Sequence, residues 1–184
     1  MKLVNKRPVF RITFLALCLA LYIGLSFVSI RLPGQEITFK GLPLVFVSVV
    51  SGPIDGVFVA IFGEFVAQLT SQYGLTPTTA LWILPHVFRA LIVGLMMRKK
   101  DVYENKIWWV VTVILSGIAV TVSNSLVIWL DGVIMNYPSV LTFITIITRA
   151  AASIATSIVY IVVIPLLIKP IMKAGKIERK NSDY

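Results

Sequence analysis

The chain has 184 residues, of which 58% are hydrophobic and only 14% charged, whereas soluble domains run about 45–50% apolar and about 25% charged. A water-soluble domain is excluded, and lipid is the expected solvent. At roughly 20 apolar residues per crossing, about five to seven helices fit, so a single domain over 1–184 is expected. The one cysteine, Cys18, supports neither a disulfide framework nor a cysteine-based metal site.

Lys2, Lys6, Arg7 and Arg11 precede the first apolar run, Ile12 to Ile30, which is 19 residues without a charge. It is longer than a signal-peptide core, and no small-x-small cleavage site follows before Arg31. A retained helix 1 over about 11–30 is expected. Leu15-Ala16-Leu17-Cys18 has the outline of a lipid-attachment site, but bulky Leu17 stands where a small residue is wanted. The polar stretch Arg31 to Lys40 reads as a loop. Between Lys40 and Asp55 lie 14 uncharged residues ending in Ser51-Gly52-Pro53, too few for a full crossing, so helix 2 (41–52) is expected to be stubby.

Helix 3 (54–71) carries Glu64 and Gln68 and ends at Gln72-Tyr73-Gly74-Leu75-Thr76-Pro77. Thr78 or Thr79 then caps helix 4 (78–97). The cluster Arg98-Lys99-Lys100-Asp101 with Glu104 and Lys106 separates it from helix 5 (107–130), 24 residues without a charge. Asp131-Gly132 and Asn136-Tyr137-Pro138 mark the next turn. Helix 6 (139–172) is interrupted only by Arg149 and is long enough to tilt or to extend into the cytoplasm.

Six crossings put both termini on one side. That side collects 13 of the 17 basic residues, at the start, at 98–106 and at the end, while the other keeps only Arg31 and Lys40. The positive-inside rule makes both termini cytoplasmic. The net charge of +9 is then explained by topology, and nucleic-acid binding loses its support.

Glu64, Arg89 and Arg149 fall near helix centres, where a charge costs roughly 2.5–3.5 kcal/mol, so each is expected to face the bundle interior. A structural Glu64–Arg89 or Glu64–Arg149 ion pair is one reading. Two cations against one carboxylate leave a surplus, which an anionic ligand neutralises through a guanidinium fork. With this topology Gln68, Gln72, Trp82, Asn124 and Trp129 share the outer half, and Trp82, His86 and Arg89 lie on one face of helix 4. The expected substrate-binding set is Glu64, Gln68, Trp82, His86, Arg89, Asn124 and Arg149. Against it stand an interfacial belt for the tryptophans, plain packing for His86, and interhelical bonding for Asn124. Pro77 and Pro85 border the region, and irregular backbone at membrane depth is tolerated where it lines a cavity.

No Gly-x-Ser-x-Gly, His-Glu-x-x-His or phosphate-binding Gly-rich loop occurs, so an enzyme is not expected. Nor does the chain carry a nucleotide site or an obvious inverted repeat, so a transporter of this kind needs a partner to supply energy. Ala16, Ala20 and Gly24 form a small-residue row on helix 1 that lets another helix approach, whether a partner's or one of this chain's own.

These features resemble the substrate-binding S component of energy-coupling factor (ECF) vitamin transporters. The resemblance rests on Ala16-Leu17-Cys18-Leu19-Ala20, similar to the family's Ala-x-x-x-Ala docking motif, on the loop at 31–40, and on Gly52-Pro53-Ile54-Asp55-Gly56. The stretch 74–85 resembles the pantothenate branch. It implies a multi-pass cell-membrane protein, prokaryotic, that captures a vitamin from outside beneath a gating loop. Ala16 and Ala20 then meet a transmembrane coupling subunit, and two ATPase subunits hydrolyse ATP, with no cofactor in this chain. Pantothenate, with one carboxylate, suits an arginine together with Asn124 and Gln68. Folate, pyridoxal-type compounds, and a non-transporting scaffold or assembly subunit remain as alternatives.

Overall fold

A computed structural model describes residues 8–32, 35–71, 74–98, 102 and 105–182. Among them are six helices: α1 (Pro8–Phe27), α2 (Gly41–Val50), α3 (Pro53–Leu69), α4 (Thr79–Met96), α5 (Lys106–Ile134) and α6 (Ser139–Ser182). The expected loop at 31–40 instead holds two short strands, β1 (Ser29–Leu32) and β2 (Gln35–Thr38), paired antiparallel with Ser29 opposite Thr38 and Leu32 opposite Gln35. Two helices also outrun their expected ends. α5 takes in Asp131 and Gly132, which were expected in a turn, and α6 continues ten residues past 172.

Spans of 18 to 29 residues in α1, α4, α5 and α6 are long and apolar enough to cross a membrane. α3, at 17 residues, approaches that length and carries Glu64. α2 does not: ten residues at about 1.5 Å each reach only about 15 Å. Eight of those ten are buried, as a helix apolar on all sides must be.

Successive helices α3, α4, α5 and α6 pack side by side, and α2 is wedged among α1, α3, α4 and α6. It separates two cores. On one side Val45, Val49 and Val50 meet Val93, Met97, Trp109, Val113 and Ile164. On the other, Leu44 and Val47 meet Cys18, Tyr22, Val59, Ala60 and Ala90.

The turn after α2 requires glycine, since Gly52 has φ +108°, a conformation that Cβ disfavours. It lets Pro53 start α3 directly against α4. A Cβ on Gly94 would stand 2.5 Å from Pro53 Cα and 2.6 Å from its nitrogen. Because those are backbone atoms, Gly94→Ala has nothing flexible to push aside. Overpacking of this kind costs about 1–3 kcal/mol. A thermal melt of the detergent-purified variant is expected to show that loss, and an unchanged melting point would mean α3 and α4 can separate freely.

At the same end, Asp55 in the first turn of α3 is buried and forms a two-pronged ion pair with Arg11 of α1. At the opposite end, the Thr78 hydroxyl donates to Asp131 Oδ1 at 2.5 Å, tying the start of α4 to the last turn of α5. The hairpin β1–β2 belongs to this second end, where β2 lies against α1 and α6.

Candidate functional site

The short α2 decides where the polar groups meet. Its first turn is level with Glu64 on α3, since Lys40 bonds that residue. From Glu64, α3 runs five further residues to Leu69, and α4 begins seven residues before His86. At 1.5 Å per residue, α2 therefore starts about 7–10 Å below the ends of its neighbours. Side chains of α3 and α4, Gln68, Trp82 and His86, gather at this level, with Arg149 of α6 over Trp82.

Glu64 is 2% exposed and its carboxylate is saturated. Lys40 Nζ and the Tyr22 hydroxyl each donate to Oε2 at 2.7 Å, and Gln68 Nε2 donates to Oε1 at 2.9 Å. His86 Nε2 stands 3.4 Å from Oε2, its ring edge-on to Tyr22. One carboxylate thus joins α1, the start of α2, α3 and α4. A buried charge in low dielectric needs both an opposite charge and filled lone pairs, and Glu64 has both.

The expected pairing of Glu64 with Arg89 or Arg149 is therefore incorrect. Lys40 is the counterion, because the stubby α2 lowers it to the depth of Glu64. Arg89 lies one turn further along α4, 6% exposed. Its Nη1 donates to the Tyr160 hydroxyl at 3.3 Å, and its guanidinium carbon is 5.2 Å from the Tyr160 ring centre. Arg149 instead lies over Trp82, 4.6 Å from the ring centre, in cation–π geometry.

The structure thus brings Glu64, Gln68 and His86 into one cluster, sets Arg89 just below it, and joins Trp82 to Arg149. Asn124 is half-buried on α5, and none of the cluster's hydrogen bonds reaches it. Trp129 is exposed, as a tryptophan facing lipid headgroups would be. Three residues were missed by sequence reasoning. Tyr22 sits on helix 1, from which no residue enters the expected substrate-binding set. Tyr160 lay in an apolar run. Lys40 was assigned to an outer loop, although the 14-residue gap to Asp55 already showed how little chain separated it from the bundle. The cluster accordingly lies among α1, the start of α2, α3 and α4, with α6 adding Tyr160 and Arg149.

A separate open groove of about 520 Å³ lies between the facing ends of α5 and α6, lined by Trp129, Val133, Asn136, Tyr137 and Phe143. It is mostly apolar and holds no charged side chain, its polar groups being those of Asn136, Tyr137, Thr142 and Trp129. The buried polar region is the better candidate.

No curated protein matches the chain in sequence. Among solved structures, the fold resembles one described under the words structure and mechanism of the S component of a bacterial ECF transporter. The TM-score is 0.66 at 16% identity, with 92% of this chain and 99% of that chain covered. The profile of the family described as ECF-type riboflavin transporter, S component, matches residues 7–173. That match takes in the stretch 74–85, whose likeness to the pantothenate branch it does not support. Matched over nearly its whole length, the chain belongs to the family of S components of ECF-type riboflavin transporters.

Proposed function

We propose that this protein is the vitamin-binding subunit of a multi-component importer, a multi-pass protein of the prokaryotic plasma membrane with six crossings and both termini cytoplasmic. The observation that carries this reading is the buried polar cluster around Glu64, set at the start of the half-length α2 and at the end of the bundle that carries the two-stranded hairpin. Trp82, His86 and Arg89, on one face of α4, together with Gln68 and Arg149, lie in or beside that cluster and are the proposed substrate contacts. Glu64 holds the cluster together. Asn124 is reached by a ligand long enough to touch α5.

In this reading the hairpin is the gate on the extracytoplasmic side. The chain itself carries no cofactor. Energy comes from a transmembrane coupling subunit and two ATPase subunits, the partner helix meeting Ala16, Ala20 and Gly24. Those residues lie on the exposed face of α1, and a Cβ on Gly24 would meet nothing within 4 Å.

A riboflavin-type vitamin is the first choice of ligand, on the family match. Its planar ring suits the Trp82–Arg149 stack, and its carbonyl edge suits guanidinium and imidazole donors. An anionic vitamin such as pantothenate is the second reading. It is favoured by Arg89, whose charge faces a neutral tyrosine and no carboxylate among the described residues. Titration of purified protein with riboflavin, followed by flavin fluorescence, is expected to give saturable quenching. Calorimetry with pantothenate tests the second reading in parallel. If neither compound binds and mass spectrometry finds no co-purifying small molecule, a non-transporting scaffold replaces both.

A further inference from the structure

We infer that Tyr160 is a positioning residue for substrate binding: seated over Gly41, it holds the Arg89 guanidinium in one orientation without neutralising its charge. This deepens the vitamin-binding reading above and rests on it, since Arg89 is one of the proposed contacts. Three elements meet here. Arg89 comes from α4 and Tyr160 from α6, and both helices pack on α2, which begins at Gly41. Arg89 Nη1 donates to the Tyr160 hydroxyl at 3.3 Å, and the guanidinium carbon stands 5.2 Å from the ring centre, so one side chain engages the cation through hydroxyl and ring together. Gly41 makes the contact possible. A Cβ there would stand 2.9 Å from Arg89 Nη1 and 3.1 Å from Tyr160 Cζ, with the hydroxyl closer still. The hydroxyl therefore occupies the place that any larger residue would fill.

Packing explains only part of this arrangement. Tyr160 is buried, and its ring belongs to the apolar core with Val45, Trp109 and Ile164. Phenylalanine would serve that core as well, and only the hydroxyl reaches Arg89. A buried guanidinium is ordinarily answered by a carboxylate, but the Glu64 carboxylate is taken up by Lys40, Tyr22 and Gln68. Arg89 is left with a neutral phenol, and its Nε has no hydrogen-bond partner among the described residues. Such a group is fixed in direction yet keeps its charge and a donor. A ligand acceptor then meets an arginine that has already lost its rotamer freedom, and preorganisation of this kind raises affinity by sparing the cost of ordering on binding.

The test titrates full-length protein in detergent with riboflavin, read by flavin fluorescence, or with pantothenate, read by calorimetry, if riboflavin does not bind. Tyr160→Phe keeps the ring and is expected to raise the Kd about fivefold or more, while lowering the melting temperature by no more than about 4 °C. Gly41→Ala, whose methyl displaces the hydroxyl, is expected to weaken binding about as much and to lower the melting temperature as well. The double variant separates packing from positioning, because the added methyl takes the place of the lost hydroxyl. Its melting temperature is expected to rise above that of Gly41→Ala, while its Kd stays about fivefold or more above the native value. Native affinity in Tyr160→Phe overturns the positioning role. So does a double variant that regains native affinity together with its stability, since packing alone would then account for Tyr160. Either result leaves the vitamin-binding reading standing. If neither probe binds the folded native protein, that reading itself fails, and the positioning role with it.

Discussion

Glu64→Ala is expected to lower the melting temperature of the detergent-purified protein by about 10 °C, the largest loss of stability from any single change at the site. The substitution removes the acceptor for Lys40, Tyr22 and Gln68 at once. Truncating one partner of a buried ion pair typically costs about 3–5 kcal/mol, because the other charge is stranded. The low end of that range applies, since the Lys40 side chain keeps 17% of its surface exposed. For a chain of this size each kcal/mol shifts the melting point by about 2–4 °C. Removing both charges separates stranding from lost attraction: Glu64→Gln with Lys40→Met is expected to melt well above Glu64→Ala, since a neutral pair leaves no buried charge. A native-like melt for Glu64→Ala would show that the four elements hold without their shared carboxylate.

Ala16→Trp and Ala20→Trp are expected to act in the opposite manner, sparing the fold and removing transport. α1 shows two faces. Cys18 and Tyr22 are buried against α2 and α3, while Ala16, Ala20 and Gly24, four residues apart, remain exposed. An indole on the exposed face collides with nothing inside the bundle, so ligand affinity is expected to stay within about twofold. Small residues allow close helix approach through packing alone, and a large ring holds the partner away. Uptake in proteoliposomes containing the coupling subunit and ATPases is therefore expected to fall more than tenfold. Undiminished uptake would remove α1 as the docking face and return its small residues to a purely lipid-facing role.

Much of the architecture is legible in the chain because lipid imposes so simple a rule. Charge-free runs and breakers place each helix to within a few residues at most ends, and Ser51-Gly52-Pro53 marks the α2–α3 turn correctly. The errors arise where tertiary context competes with local pattern. Asp131 looks like a loop residue, yet the Thr78 hydroxyl at the start of α4 donates to it, and the helix continues past it. The strands at 29–38 are four residues each, too short for alternation to stand out in a polar stretch, and their pairing needs the bundle beneath them.

The candidate site was legible in membership more than in wiring. Glu64, Gln68, Trp82, His86 and Arg89 can be picked out because polar groups at membrane depth are expensive. Which charge answers which depends on the height of α2 within the bundle, and sequence spacing does not supply heights. A lysine just before a short helix was therefore assigned to the surface, while two arginines further along the chain were offered the partner it holds.

The brevity of α2 also bears on its depth in the membrane. Ten residues are about half of what a bilayer-spanning helix needs, and Lys40 at one end would be left in hydrocarbon with no counterion. On its own such a segment has no defined depth in lipid, and Glu64 on α3 supplies the partner that gives it one. The Lys40–Glu64 pair thus fixes the depth of a helix whose own length does not set it.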